Sequence, residues 1–350
     1  MNERKLLVQK FGGTSLADLA GFEASAEVVG RYTDDHQVIV VLSAVKGVTD
    51  LLLSAIDTAV AGDDGAKFLS EAIGRERAII DDLAARGVET PLADEFLEEQ
   101  SEVLDRRIEG IRLLGQCPDE TRARILATGE GFASRLMVDV LQARGYNALW
   151  SDTDVLPPAN EDWLVSLVDV EAATPLIKAR LDEQDSQVVV LPGFYGRNAQ
   201  NKIQLMGRNG TDYTAACMAA ASAAGLCQIS KDVDGFFTAD PRIVKNARCL
   251  DEVSYEEAME LTYYGANVIS AKALMPLAAN QIPCQVRNTY DPSKPGTLVH
   301  GSAKRAETVR GISHLHGVST ITLQGGFLRG RIGVAQRVMG TLASVSVSTL

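Results

Sequence analysis

A pair of glycines after the first apolar run is the first feature of the chain that could do chemistry. Residues 5–9 are typical of a buried strand, and they lead directly into Lys10, Phe11, Gly12 and Gly13. Backbone N–H groups beside paired glycines can approach an anion closely, so this turn could hold phosphate oxygens. Lys10 would add positive charge where a transferring phosphoryl group accumulates negative charge. An ordinary turn could have the same residues, so the motif alone leaves both interpretations open.

A second motif, Gly-Arg-Asn-Gly-Thr-Asp at residues 207–212, opens a small-residue helix that is rich in alanine through Ala224. Helix N-termini bind anions, and Asp212 in the first turn could orient Lys10 or help to hold a metal that bridges phosphates. The simpler interpretation is that Thr211 or Asp212 caps the helix. Capping and catalysis do not exclude each other here.

A third motif is the polar turn at residues 231–242, after a strand that ends near Ser230. Ligands of open α/β sheets bind beyond the carboxyl ends of strands, which is where this turn lies. Lys231 and Arg242 would meet phosphates, and Asp232 could meet the base or the ribose. Its Asp-Gly and Asp-Pro pairs are also ordinary turn signals.

The elements that must position these motifs are strands that alternate with helices. Long stretches with helical periodicity separate short apolar runs at residues 6–8, 38–42, 188–191 and 282–286. Such alternation is typical of buried, mostly parallel strands covered by helices, so it predicts a three-layer α/β/α sandwich. Residues 66–115 should be helical with a solvated charged face, because apolar side chains recur at helical spacing at Leu97, Leu104, Ile108 and Ile111.

Composition excludes several classes of protein. The 350 residues carry a net charge of -12, which repels nucleic-acid backbones. We expect no nucleic-acid partner, and a locally cationic pocket if the substrate is anionic. Five widely spaced cysteines without a metal-ligand pattern favour reduced thiols and a cytoplasmic location. No apolar run reaches about 18 residues, which disfavours membrane insertion.

The combination of motifs, in this order, resembles aspartokinases of the amino acid kinase family. The matching segments are Lys-Phe-Gly-Gly-Thr-Ser at residues 10–15, Leu-Ser-Ala to Thr at 42–49, Gly129-Glu130, residues 207–212 and residues 232–242. The resemblance covers essentially the whole chain, and residues 115–119 look like the variety fused to homoserine dehydrogenase. It implies a kinase that transfers the ATP γ-phosphate to the β-carboxylate of L-aspartate, the first step towards lysine, threonine and methionine.

The resemblance also implies a role for each matching residue. Lys10 would stabilise the transferring phosphoryl group, and Asp212 would organise the catalytic lysines. Aspartate would be surrounded by Ser43, Thr49, Glu130, Phe194, Arg208 and Thr211, with Arg208 on a carboxylate and Glu130 on the ammonium group. ATP would meet Gly12, Gly13, Lys231, Asp232, Phe237, Arg242 and Asn267. Mg²⁺ would be held mainly by ATP, with no direct protein ligand predicted.

The chain departs from the family pattern at a phosphate-binding position. Asn267 stands where the family usually has a lysine that reaches ATP, and Lys231 stands where many relatives have threonine. We hypothesise that Lys231, or Lys272 after a local shift, replaces the lost cation. Ala133 replaces a common serine near the substrate. These changes put catalytic strength in question rather than fold.

The resemblance further divides the chain. Residues 1–300 would form the catalytic domain, with aspartate bound by the N-terminal part and ATP by about 200–300. Residues 308–350 resemble half of an ACT regulatory unit, with strands expected at 318–323 and 345–350 around a helix at 333–342. ACT units bind feedback amino acids, here lysine or threonine, and pair between subunits, so a homodimer is expected.

Two alternatives remain open. A different amino acid kinase, such as a glutamate kinase, would share the sandwich and the phosphate cradle. A weakly active or non-catalytic relative that only binds amino acid and nucleotide would explain Asn267.

Overall fold

The computed structural model describes residues 5–183, 185–265, 268–303, 309–315, 317–325, 332–345 and 347. The chain divides into two compact units, Met1–His314 and Leu315–Leu350. In the described residues, no helix combines the length and the apolar character needed to cross a membrane.

The first unit is built on a central β-sheet. Its strands, within the described residues, are β1 (Lys5–Phe11), β2 (His36–Leu42), β3 (Ala148–Trp150), β4 (Val188–Pro192), β5 (Tyr195–Arg197), β6 (Ile203–Leu205), β7 (Leu226–Lys231), β8 (Glu252–Val253), β9 (Cys284–Asn288) and β10 (Thr297–Val299). The sheet order is β3-β4-β2-β1-β7-β9-β10-β8, while β5 and β6 form a separate hairpin. Every described pairing in the large sheet is parallel except β9 with β10.

Helices cover both faces of this sheet. They are α1 (Leu19–Gly30), α2 (Val48–Val60), α3 (Ala66–Ala84), α4 (Pro91–Leu114), α5 (Asp119–Leu126), α6 (Thr128–Ala143), α7 (Val170–Glu183), α8 (Gly210–Ala221), α9 (Tyr255–Tyr263) and α10 (Ala271–Ala279). Successive strand residues point to opposite faces, so Leu7 and Val8 belong to two different buried clusters. Helices α1–α6 complete one cluster and α7–α10 the other. The predicted three-layer sandwich with a mostly parallel sheet is confirmed.

The predicted helical region at residues 66–115 is also confirmed. It forms α3 and α4, and Leu97, Leu104, Ile108 and Ile111 are all buried on one side of α4. Pro91 at the start of α4 and Gly115 in a left-handed conformation after its end set the limits of that helix.

The second unit contains one described helix, α11 (Val334–Ser344), where a helix was predicted. The strand predicted over residues 318–323 is wrong: these residues belong to no strand. Alternating apolar residues form a strand only when a neighbouring strand accepts their hydrogen bonds, and here Val318 and Ile321 are 57% and 62% exposed. Most of the strand predicted over 345–350 lies outside the described residues. The ACT-like interpretation therefore stays a prediction.

Candidate active site

Four parallel strands end at one edge of the sheet and bring distant segments together there. Lys10 of β1 lies between Val41 of β2 and Ile229 of β7, and β4 continues the row beside β2. The residues that follow these strands therefore share one crevice, the usual ligand position in an open α/β sheet. The N-terminus of α8 opens into the same place.

The centre of the site is one carboxylate held between two lysines. The Lys10 Nζ atom lies 2.7 Å from Asp212 Oδ1, and the Lys231 Nζ atom lies 2.9 Å from Asp212 Oδ2. The side chains of Lys10 and Asp212 are only 6% and 3% exposed, whereas that of Lys231 is 19% exposed. Gly12 makes room for this arrangement, since a Cβ atom there would lie 2.9 Å from Lys10 Nζ. Asp212 thus fixes two ammonium groups that come from different strands.

Burial and charge act against each other at this centre. Burial lowers the pKa of Lys10, and the nearby Lys231 lowers it further, while Asp212 opposes both. Burial raises the pKa of Asp212, but Lys10 and Lys231 together bring that pKa below its usual value. Asp212 therefore remains ionised, and its charge opposes the burial that lowers the pKa of Lys10.

These groups open onto a cleft of about 380 Å³. Most of the predicted site residues line it: Lys10, Gly12, Gly13, Ser43, Thr49, Glu130, Phe194, Arg208, Thr211, Asp212, Lys231 and Asp232. Residues separated by about two hundred positions in the chain thus meet in one place. Their individual binding roles stay predictions.

The Asp212 segment shows that the simple capping interpretation is wrong. The N-cap of α8 is Asn209, in a left-handed conformation, and no side chain caps the helix. Asp212 instead directs its carboxylate to the two lysines. Thr211 accepts a hydrogen bond from Ser43 at 2.9 Å, which ties the loop after β2 to the start of α8.

The part of the cleft where the amino acid was predicted to bind contains a cation and a carboxyl group that are available to a ligand. Arg208 is exposed and has no ion pair or hydrogen bond to any described residue. Glu130, in the first turn of α6, is buried, and its Oε2 atom has no hydrogen-bond partner in the described structure. Burial raises the pKa of Glu130 to about 8, although the backbone N–H of Ala44 works against this rise. A ligand with both an ammonium group and carboxylates would satisfy both residues.

Phe194 closes this end of the cleft in a strained conformation. Its φ angle of 73° lies in the left-handed region, which is costly for a bulky residue. The Thr214 hydroxyl accepts a hydrogen bond from the Phe194 N–H at 3.0 Å, and Met206 donates its N–H to the Phe194 carbonyl at 2.7 Å. Two hydrogen bonds thus hold the backbone where the ring faces the cleft.

A second carboxyl group lies behind Glu130 and was missed from the sequence. Glu76 occupies a core position of α3, in line with Leu69, Ala72 and Ile79. It is buried, and its Oε1 atom has no hydrogen-bond partner among the described residues. Burial, together with the charge of Glu130, raises the pKa of Glu76 well above its ordinary value. A carboxyl group within an otherwise apolar stripe was the signal that could have identified it.

A second cavity, of about 450 Å³, adjoins the cleft and shares Asp232 with it. Phe237 and Arg242 line it, as expected for residues grouped around a nucleotide. Arg242 is exposed and is held by Asp240, whose carboxylate accepts hydrogen bonds from the Arg242 guanidinium. This interaction brings the pKa of Asp240 to about 2. Asn267 lies outside the described residues.

Lys272 lies outside the cleft in the described structure. Its ammonium group donates to the carbonyls of Ser166 and Met206 at 3.1 and 2.8 Å, and it lies 4.4 Å from the centre of the Tyr213 ring. It lines neither cavity. The alternative involving Lys272 stays a prediction, and it would require Lys272 to leave the carbonyls of Ser166 and Met206. Lys231, the other candidate, does line the cleft.

Comparison with known proteins gives a consistent result. The model of the amino acid kinase family matches residues 5–288. A bifunctional aspartokinase/homoserine dehydrogenase from Haemophilus influenzae is 34% identical over 98% of the chain, which spans 42% of that protein's length. Lysine-sensitive aspartokinase 3 from Escherichia coli is 29% identical over 98% of the chain and 75% of its own length. The crystal structure of E. coli aspartokinase III in complex with aspartate and ADP superimposes with a TM-score of 0.76 and 29% identity, covering 86% of this chain and 66% of that one.

Proposed function

The chain belongs to the amino acid kinase family, and from the geometry of its site we propose that it is an aspartate kinase. It transfers the γ-phosphate of ATP to the β-carboxylate of L-aspartate and forms 4-phospho-L-aspartate. The observation that carries the proposal is the Lys10–Asp212–Lys231 centre, which lies in one cleft with Glu130 and Arg208. The similarity to the E. coli enzyme in complex with aspartate and ADP supports the same substrates.

The amino-acid end explains why aspartate would be held. Arg208 offers a planar fork of N–H donors, which suits a carboxylate. Glu130 offers a buried carboxylate oxygen to the α-ammonium group. Ser43, Thr49 and Thr211 add hydroxyl groups along the same cleft. A ligand with one ammonium group and two carboxylates would use all of these groups and leave the second carboxylate directed at ATP.

Phosphoryl transfer at this site needs no general base. The β-carboxylate of aspartate is already ionised at neutral pH, so it is its own nucleophile. The remaining demand is to hold the two reactants in line and to stabilise the charge on the transferring group. Lys10 and Lys231 meet this demand, because Asp212 fixes both ammonium groups before ATP arrives.

Mg²⁺ is expected to be held mainly by ATP. Asp212 is already engaged by two lysines, and the described residues contain no group of three or more His, Cys, Asp or Glu side chains that could hold a metal. Asp232, which lines both cavities, is the carboxylate best placed to approach a phosphate-bound ion. When bound, Mg²⁺ neutralises charge on the phosphates.

Regulation and assembly extend the proposal. The E. coli aspartokinase III was also solved in complex with lysine and aspartate, so lysine is the first effector to test, followed by threonine. Catalysis would belong to residues 1–300 and effector sensing to 308–350. A homodimer would follow if the second unit pairs between subunits.

The proposal is tested by substrate choice. Purified protein with Mg-ATP should release ADP on addition of L-aspartate, and hydroxylamine should trap an aspartyl hydroxamate. L-Glutamate at the same concentration should give less than about one hundredth of that rate, since its extra methylene displaces the nucleophile in a site that depends on positioning. Equal rates with glutamate, or no ADP release with either, would reject the assignment.

A further inference from the structure

Residues 309–314, here called the wall segment, form one side of the second cavity. They follow β10 and lie beyond residue 288, where the family match ends. Ile312, Ser313 and His314 line this cavity together with Phe237. The sequence analysis placed the wall segment in the ACT-like part of the chain and predicted no nucleotide contact for it.

The wall segment is fastened to the first unit by backbone and side-chain contacts. The Ile312 N–H donates to the Thr238 carbonyl at 2.9 Å, and Arg310 donates to the Glu252 carbonyl at 2.6 Å. Gly311 packs closely as well, because a Cβ atom there would lie 3.1 Å from Leu261. These contacts fix the wall segment against Thr238, the residue that follows Phe237 in the chain.

The polarity of the two cavities sets the direction in which a nucleotide would lie. Lys10 and Lys231 mark the phosphate end in the first cleft, and Asp232 is shared by both cavities. Beyond Asp232 the second cavity presents the apolar side chains of Phe237, Leu261 and Ile312 beside the polar ones of Asp240, Arg242 and His314. A planar aromatic base prefers such apolar surfaces, whereas phosphates prefer the cations.

Ile312 and Ser313 have side chains available to such a base. Ile312 is 69% exposed, so its side chain is available to cover one face of the base and would lose contact with water on doing so. The Ser313 hydroxyl has no hydrogen-bond partner among the described residues, so it could bond a polar edge of the base or the ribose.

We propose that the wall segment binds the nucleoside end of ATP, with Ile312 against the base and Ser313 bonded to a polar edge of the nucleoside. This inference rests on the proposed function, since it assumes a nucleotide whose phosphates lie at Lys10 and Lys231. The wall segment, which lies beyond the residues matched by the family model, would then contribute to nucleotide affinity.

The test compares ADP with inorganic tripolyphosphate, which carries phosphates but no nucleoside. Ile312→Ala should raise the dissociation constant for ADP, measured calorimetrically in the full chain, by about tenfold through loss of apolar contact. Ile312→Ala should leave the binding of tripolyphosphate unchanged. Ile312→Leu, which keeps a large apolar side chain, should bind ADP within about threefold of the original protein. Ser313→Ala should weaken ADP binding by about fivefold.

Val309→Ala is the matched control, because Val309 is 63% exposed in the same segment but does not line the cavity. It should leave ADP affinity unchanged. If Ile312→Ala binds ADP as tightly as the original protein, or loses tripolyphosphate binding to the same degree, the inference is wrong while the kinase assignment stands. An original protein that binds neither ligand contradicts the kinase assignment as well.

Discussion

Replacing Lys231 by threonine tests how this chain compensates for the lysine that Asn267 replaces. The change removes one of the two ammonium groups on Asp212 and leaves Asp212 Oδ2 without its 2.9 Å partner. Asp212 stays paired with Lys10 at 2.7 Å, so the net charge of the centre falls from one positive charge to zero and the phosphates lose one attracting cation. The ATP Michaelis constant should therefore increase.

The size of the increase follows from Coulomb's law. Two unit charges about 4 Å apart interact by about 4 kcal/mol at an effective dielectric constant of about 20. The Lys231 side chain is 19% exposed, and its desolvation consumes part of that energy, so we expect about half, or ~2 kcal/mol, to remain. This corresponds to roughly a 30-fold higher ATP Michaelis constant.

The assay is ADP release at saturating aspartate with varied Mg-ATP. Lys231→Arg keeps the charge and should stay within about fivefold of the original protein. Lys202→Thr is the matched control, since it also breaks a lysine–carboxylate pair, with Glu120, but Lys202 lines neither part of the site. If Lys231→Thr leaves the ATP Michaelis constant within about twofold, Lys231 does not replace the lost cation.

Three further changes probe the amino-acid end and the buried carboxyl groups. Glu130→Gln should raise the aspartate Michaelis constant by roughly 10- to 100-fold. In the original protein, aspartate affinity should increase as the pH rises through about 8, where Glu130 loses its proton. A flat pH profile would argue against a contact between Glu130 and the ammonium group of aspartate. Arg208→Lys should raise the aspartate Michaelis constant about tenfold with an unchanged ATP value, because an ammonium group cannot form the paired hydrogen bonds of a guanidinium. Because the pKa of Glu76 is raised in the folded protein, the folded state keeps a proton that the unfolded chain releases near pH 4.5. The free energy of unfolding is therefore highest below that pH, and it falls as the pH rises towards the pKa of the folded state. Glu76→Gln should therefore raise the melting temperature at pH 7 to 8 and leave it unchanged at pH 4.5; equal shifts at both values would contradict this reasoning.

Sequence patterns predicted those parts of the site that follow strand ends. Lys10 lies one residue before the end of β1 and Lys231 is the last residue of β7, and parallel strands in an open sheet place such ends along one edge. The helix that begins at residue 210 was recognisable from its small residues. The meeting of Lys10, Asp212 and Arg208 in one cleft was accordingly within reach of sequence reasoning.

Features that depend on packing between distant segments were out of reach. Lys272 has the right charge, but its ammonium group is taken by the carbonyls of Ser166 and Met206, residues far away in the chain. The contact of Ile312 with Thr238 likewise joins segments that no local pattern connects. Residues 318–323 show the opposite error, because their alternation describes one strand and says nothing of the neighbour a strand requires.

The central claim is that Lys10, held by Asp212, stabilises a phosphoryl group in transit to aspartate. Its most direct measurement is ATP-dependent formation of aspartyl hydroxamate by the original protein and by Lys10→Ala, with folding verified by circular dichroism. The account predicts a clear rate for the original protein and at least a roughly 100-fold lower one for the variant, the usual loss when a charge-stabilising group is removed. Comparable rates for the two proteins would contradict it.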